Sequence, residues 1–557
     1  MQVHPADWAV LVLYFIFITA LGIIVGLRVK DTDHYFLGKR KFGKLLMVGQ
    51  SFGVGTHAEM PVSLAGAVYS FGISGIWYQW KNLFATPFYW VFSPIFRRFN
   101  RTTTGQVMED RYGPWMGAIY TIFALCFFTI NLASMLKGAG KVLNQATGGG
   151  FGVNEIVMAM TVVFILYSFI GGLVAAVWTD LFQGFLIVTL SFMLVPLGWG
   201  TVGGMAGMRQ SLEAYKFSLA TPQGIGVWFI AVLTINGLVG IMAQPHILAL
   251  VGTGKDERSC RVGFFYGTFI KRLCTVGWAI VGLMVGAMIV QNTYGVSSLK
   301  DAEDAFGFAC RHLLFPGALG LLMAAVLAAT MAACSAFMVD SGALFTFGFY
   351  RKYFRKSKAD KHYLWIGRLS GLAVTLVAVV YAVFFIQRVL YSFLLTETMA
   401  TYMGISLVGG IIWNRANRWG AVASLITAMG TNFLLYHFRG ERLDSWHPTV
   451  FLFALGAGAL ALVVFSLLTK PEGEEQVRNF RARIEQSSEI PGEPSEAGAD
   501  ETAEKGQQLL LVNLLQLKKG ARGRSIFHAY RTDLIGIARG WALVAALVIV
   551  CWALTKI

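Results

Sequence analysis

The chain has 557 residues, 56% of them hydrophobic and 14% charged, with a mean hydropathy of +0.60. A soluble protein of this length carries about 25% charged residues, so a soluble enzyme is excluded and a polytopic membrane protein is indicated. The formal net charge of +16 lies in short loops between apolar runs, which makes it a topology signal and not a nucleic-acid surface.

The chain opens on Met1-Gln2-Val3-His4-Pro5-Ala6-Asp7, without a basic stretch or a small-residue cleavage site, so segment 7–27 reads as a retained first helix. Further apolar runs of spanning length fall at roughly 45–71, 74–96, 115–143, 152–171, 178–203, 225–250, 263–291, 316–349, 363–386, 389–413, 418–438, 449–469 and 533–556. That is about fourteen spans of an all-α membrane protein. Alternate loops hold twenty-one Lys or Arg residues, among them Lys39, Arg40, Arg97, Arg98, Arg258, Arg351 and Arg415; the other set holds seven. This asymmetry predicts that the basic loops are cytoplasmic and that both termini face outward across a bacterial inner membrane. The six cysteines form no spacing pattern, so neither a disulfide framework nor a metal site is expected.

Two spans are interrupted. Segment 45–71 carries Gly49, Gly53, Gly55 and Pro61, and segment 225–250 carries Asn236, Gly237, Gly240 and Pro245. They open two five-span blocks, at about 45–203 and 225–413. An odd number of spans per block inverts the second relative to the first, and paired broken helices in inverted halves point to a midplane site. Close helix packing is the plainer use of such glycines. Intramembrane ionisable groups are functional candidates: His57 and Glu59 at the first break, then Lys81, Lys137, Lys141, Asp180, Asp340 and Glu397. Snorkelling at an interface is the alternative, preferred for Lys141 and Asp180. Trp77-Tyr78-Gln79-Trp80 reads as an interfacial aromatic belt or, less favoured, as the lining of an outer vestibule.

Segment 1–469 therefore forms the transmembrane core. Residues 471–505, rich in Glu, Gly, Ser and Pro, read as disordered, and 508–519 as an amphipathic helix on the cytoplasmic membrane face or a surface for a partner protein. Segment 470–532 is thus a cytoplasmic tail, and 533–557 an additional C-terminal transmembrane helix.

Several stretches resemble the sodium:solute symporter family along nearly all of 7–469. They are Asp33-His34-Tyr35-Phe36-Leu37-Gly38-Lys39-Arg40, Leu64-Ala65-Gly66-Ala67-Val68-Tyr69, Thr104-Gly105-Gln106-Val107-Met108-Glu109-Asp110-Arg111-Tyr112-Gly113, and Gly171-Gly172 through Trp178-Thr179-Asp180-Leu181-Phe182-Gln183. Gln244-Pro245-His246-Ile247 and Leu344-Phe345-Thr346 complete the set, and Phe127 through Lys141 looks most like proline- and organic-acid-type members. The resemblance implies a LeuT-like 5+5 inverted-repeat fold and import of a small polar, carboxylate-bearing solute by alternating access. It implies no enzyme activity. It places the solute near Gly55, His57 and Glu59. Gln79 stands where the sugar branch has a carboxylate, and Gly240 where that branch has an aromatic gate. Lys137 or Lys141 is the expected carboxylate anchor.

The family's sodium ligands map onto Gly53, Thr56, Ala329, Ala332 and Ala333. The last two stand where the family has adjacent hydroxyls, so two of about five oxygens are missing, and Thr56, Thr330 or Ser335 would have to compensate. A proton on His57 or Glu59 is the other coupling ion considered. No cofactor beyond the coupling ion is expected. The rival function is a sensor or scaffold that has lost transport.

Overall fold

The computed structural model describes residues 3–27, 31–57, 59–356, 358–441, 446–485, 509–512 and 527–556. Among them the chain is a succession of helices. Helix α1 (Pro5–Gly26) and the short α2 (Thr32–Leu37) lead into α3 (Lys44–Gly55) and α4 (Glu59–Phe71). Next come α5 (Trp77–Trp80), α6 (Thr86–Phe99), α7 (Thr104–Tyr112), α8 (Pro114–Ala146) and α9 (Val153–Trp199). After α10 (Gly204–Ser211) come α11 (Val227–Ala243), α12 (Pro245–Gly252), α13 (Glu257–Val290), α14 (Ala305–Leu313) and α15 (Ala318–Phe345). The chain continues through the single turn α16 (Arg351–Tyr353), α17 (Asp360–Phe384), α18 (Val389–Ile412), α19 (Arg418–Phe438), α20 (Pro448–Leu468), α21 (Glu474–Glu485) and α22 (Arg531–Leu554).

Eleven of these helices or helix runs are long and apolar enough to cross a membrane, or twelve if the bent pair α11–α12 is one span. The expected fourteen were counted through breaks. Helix α3 stops after twelve residues, the span expected at 74–96 halts at Trp80 and resumes at Thr86, and only Val153–Leu166 qualifies as a short apolar helix before Gly172. Gly172 sits at φ 57°, ψ −152°, outside the helical region, and divides α9.

Local chemistry explains the remaining boundaries. Thr103 and Gln106 form a capping box at the start of α7. Asp256 accepts from the Ser259 amide at 2.6 Å to begin α13, and Asn417 accepts from the Gly420 amide at 2.9 Å to begin α19. Helices α13 and α15 run through the centre, while α1, α17, α19, α20 and α22 present Leu13, Val377, Ile426, Leu468 and Ile549 outward, as lipid-facing helices must.

Two readings of the sequence are corrected. Trp77, Tyr78, Gln79 and Trp80 are all buried, and the Trp80 indole N–H donates to Thr275 Oγ1 at 2.7 Å, so this is an internal wall and no interfacial belt. Residues 474–485, expected to be disordered, are helical. Phe480, Arg481 and Ile484 recur at helical spacing and bury one face of α21 against the core. Residues 509–512 form turns rather than a helix, and the rest of the expected 508–519 helix lies outside the described residues.

Candidate functional site

The first helix break leaves Thr56 extended (φ −128°, ψ 101°) between α3 and α4. His57 folds back onto the end of α3: its Nε2 lies 2.5 Å from the Val54 carbonyl oxygen and its Nδ1 2.6 Å from Glu59 Oε1. A carbonyl can only accept, so Nε2 carries a proton. The Nδ1–Oε1 contact is then a hydrogen bond only when a second proton lies between the two atoms. Glu59 is fully buried at the N-terminal turn of α4, where the helix dipole favours a negative charge.

The second break falls at Gln244, where Pro245 begins α12 at 65° to α11. Proline lacks an N–H and clashes with the preceding turn, which ends α11 there. Gln244 donates from Nε2 to Glu397 Oε1 of α18 at 2.9 Å. His246 stacks on Phe127 and Phe337 at ring separations of 6.0 and 4.8 Å, and the edge of His57 approaches the same Phe337 at 6.0 Å.

A third irregular stretch, between α5 and α6, places Lys81 with Nζ 3.1 Å from Glu397 Oε2 and 4.5 Å from the Phe393 ring centre. From α13, Arg272 donates to the Gln79 backbone carbonyl at 2.7 Å. Its neighbour Lys271 has no hydrogen-bond or ion-pair partner among the described residues, and its Cδ lies 3.9 Å from where a Cβ on Gly55 would be. These groups enclose a cavity of about 60 Å³, lined by His57, Gln79, Gln244, Lys271, Arg272 and Glu397 among others. Gln79 Nε2, Asn82 Oδ1, His246 Nδ1 and Arg272 Nε are buried there without protein partners. Buried polar atoms are nearly always satisfied, so water or a polar solute completes them.

The sequence candidates divide. Gly55, His57 and Gln79 line the cavity, with Glu59 directly behind His57. Gly240 instead admits α18 closely: a Cβ there would lie 2.7 Å from Thr401 Oγ1. Lys137 turns outward to Asn154 Oδ1 at 3.2 Å, and Lys141 binds Asp301 at 2.9 Å and Glu303 at 2.5 Å. Neither lysine lines the cavity; Gly138, between them, faces Glu59, and a Cβ there would come 2.5 Å from Glu59 Cβ. The sequence reading missed Lys271 and Arg272. Two adjacent cations inside the apolar span 263–291 were the available signal.

At the mapped cation positions, Thr56 and Ala329 border a second, apolar cavity, and Ala332 and Ala333 are fully buried methyl groups. The Thr330 hydroxyl donates to the Val326 carbonyl of its own helix at 2.8 Å, which leaves its oxygen lone pairs free, and the Thr56 and Ser335 hydroxyls are buried without partners. Gly53 faces Asp180 instead: a Cβ on Gly53 would lie 2.8 Å from Asp180 Cβ. Both Asp180 oxygens are buried without partners, which corrects the interfacial reading of that residue.

Residues 35–428 match the model of the sodium:solute symporter family. The chain is 25% identical over 485 residues to the osmoregulated proline transporter OpuE of Bacillus subtilis, covering 84% of this chain and 96% of that one. It is 27% identical over 484 residues to the sodium/proline symporter of Escherichia coli, covering 83% and 92%. Among solved structures, a substrate-bound, outward-open, sodium-coupled sialic acid symporter superposes with a TM-score of 0.71 at 18% identity, over 84% of this chain and 98% of that one. The nucleobase-cation-symport-1 transporter Mhp1 in a closed conformation gives 0.52 at 14% identity, over 80% and 97%. These structural likenesses concern the fold.

Proposed function

The chain belongs to the sodium:solute symporter family, and we propose that it imports a small carboxylate-bearing solute across a bacterial inner membrane by alternating access. It is a multi-pass membrane transporter and not an enzyme. The observation that carries the solute reading is Lys271, whose amine has no partner among the described residues, beside the Gly55 break in the cavity where both broken helices meet. A compact cation on a flexible stem suits a carboxylate. Thermal stabilisation of the purified protein by a panel of organic acids, amino acids, sugars and nucleosides tests it, because a ligand of the native state raises its apparent stability. Carboxylates should stabilise the wild type and lose their effect in Lys271→Gln. Equal stabilisation of both proteins by a neutral sugar would sink the reading.

The coupling ion in this proposal is a proton carried by the His57–Glu59 pair, which can hold one between Nδ1 and Oε1 and which sits on the wall of the solute cavity. Its release into an opened cavity would leave two acceptors facing each other, so protonation and closure favour one another. Two observations support sodium instead: the family match and the sodium/proline symporter relatives, and the unpartnered Asp180 carboxylate beside Gly53, which could replace the oxygens missing at Ala332 and Ala333. Uptake into liposomes under separately imposed sodium and pH gradients decides between them. Sodium-driven uptake at constant pH that Asp180→Asn abolishes would overturn the proton reading.

A further inference from the structure

The charges around the cavity say more about the solute than that it bears a carboxylate. Among the described lining residues Glu397 is the one carboxylate, and both its oxygens are engaged: Oε1 accepts from Gln244 at 2.9 Å and Oε2 lies 3.1 Å from Lys81 Nζ. Lys81 comes from behind the wall and does not line the cavity itself. The remaining lining charges, Lys271 and Arg272, are cations. An incoming ammonium would therefore meet like charge and no free counter-charge, a juxtaposition that rejects a ligand strongly in a desolvated site.

Neutral groups compensate an ammonium only in part: Asn82 Oδ1 is an open acceptor in the cavity, but a buried charge needs a counter-charge as well. Aromatic faces bind cations, but Phe393 has Lys81 at 4.5 Å, Phe264 is stacked on Tyr89 at 4.5 Å, and Phe127 and Phe337 are covered by His246. Three carbonyls at the irregular segments already have one partner each: Val54 is met by His57, Ala243 accepts from the Tyr120 hydroxyl at 2.6 Å, and Gln79 accepts from Arg272.

We propose that Lys81, by neutralising Glu397 within the wall, makes the cavity select carboxylates that lack an ammonium, so that the solute is an organic acid and not an amino acid. Lys81 is then a specificity-determining residue that touches no solute. The inference rests on the reading of Lys271 as the carboxylate anchor, and it separates this chain from the proline transporters it resembles.

The test pairs ligands that differ only in the amine: cyclopentanecarboxylate against L-proline, and propionate against L-alanine, titrated against the full-length purified protein by thermal shift. Both acids should bind at least tenfold more tightly than their amino-acid partners. Lys81→Met, which frees Glu397, should move that ratio at least tenfold toward the amino acids. Glu397→Gln, which leaves no carboxylate to free, should keep the preference for acids and serves where Lys81→Met does not fold. L-proline binding the wild type as tightly as cyclopentanecarboxylate would overturn the proposal, as would Glu397→Gln admitting the amino acids. If none of the four binds while a sugar does, the carboxylate reading beneath it fails as well.

Discussion

Glu303 joins three parts of the molecule that must separate if the cavity is to open at its end of the fold. It accepts from Lys141 of α8 at 2.5 Å and from the amides of Val389 and Leu390, at the start of α18, at 3.2 and 2.9 Å. Its own loop rests on α4, where a Cβ on Gly66 would come 2.8 Å from the Ala302 carbonyl oxygen. Glu303→Gln keeps the size and an acceptor oxygen but removes the charge. A hydrogen bond to a charged group contributes about 1.5–3 kcal/mol against about 0.5–1.5 for a neutral one. Losing the charge at the Lys141 contact and at the α18 amides should therefore weaken the closed state by about 2–3 kcal/mol. That corresponds to roughly 30- to 150-fold in the closed-to-open equilibrium. A cysteine at Ala325, on the wall of the apolar cavity, reports the opening through its alkylation rate with a membrane-impermeant thiol reagent added on the side of the 301–303 loop. The rate should rise by a factor in that range in Glu303→Gln and in Lys141→Met, and the double variant should add less than the sum, since both remove one contact. Unchanged alkylation in both single variants, at unchanged thermal stability, would refute the latch.

Three further outcomes follow from the packing. Gly138→Ala places a methyl 2.5 Å from Glu59 Cβ and 2.6 Å from its Cα, and such overpacking costs about 1–3 kcal/mol; the melting temperature should fall by several degrees, whereas Gly430→Ala, with open space around it, should not lower it. Asp533 is buried against Arg261 at 2.5 Å and accepts from the Leu510 amide; Asp533→Ala leaves a buried charge unpaired, at about 3–5 kcal/mol, and limited proteolysis should then cleave before α22 faster than in the wild type. Burial works to raise the Glu472 carboxyl, but hydrogen bonds from Arg418 outweigh it and hold the group below its usual range; a folded-state value below the unfolded one means the contact contributes fully above the unfolded pKa and is lost as pH falls through the folded one. Amide-exchange protection around 472–485, corrected for intrinsic rates, should hold from pH 7 to 5 and drop only in stronger acid.

The breaks were legible in the sequence because glycine and proline act on the backbone locally: the chain stops being helical after Gly55 and before Pro245, where the residue types say it must. The membrane class followed just as directly from apolar length. Which face of a helix a charge occupies was not legible. Lys137 and Lys141 flank the cavity helix in sequence yet point away from the cavity, while Lys271 and Arg272 sit in a span whose mean hydropathy hides them. The pairing of Lys81 with Glu397 joins residues more than three hundred positions apart, and no local pattern announces such a contact. The α21 helix was missed for a different reason. Its composition resembles a disordered tail, and it is helical because Phe480 and Ile484 find a partner surface.

That surface gives the molecule its second closure. Helix α21 lies against α6 and α7. Arg98, near the end of α6, binds Glu257 at 2.8 Å and also donates to the Ile484 carbonyl at 3.2 Å. Arg483 and Arg101 share Asp110 of α7 at 2.5 and 2.7 Å, and Arg481 donates to the Ile412 and Val512 carbonyls at 3.2 and 2.8 Å. The basic-loop end is thus strapped by the tail, as the opposite end is latched by Glu303. Between them lies the cavity of about 60 Å³, with room for a few waters. A solute can enter only when one closure yields, and alternating access requires that the other hold while it does. The two closures share no residue, so each end can open without disturbing the contacts at the other.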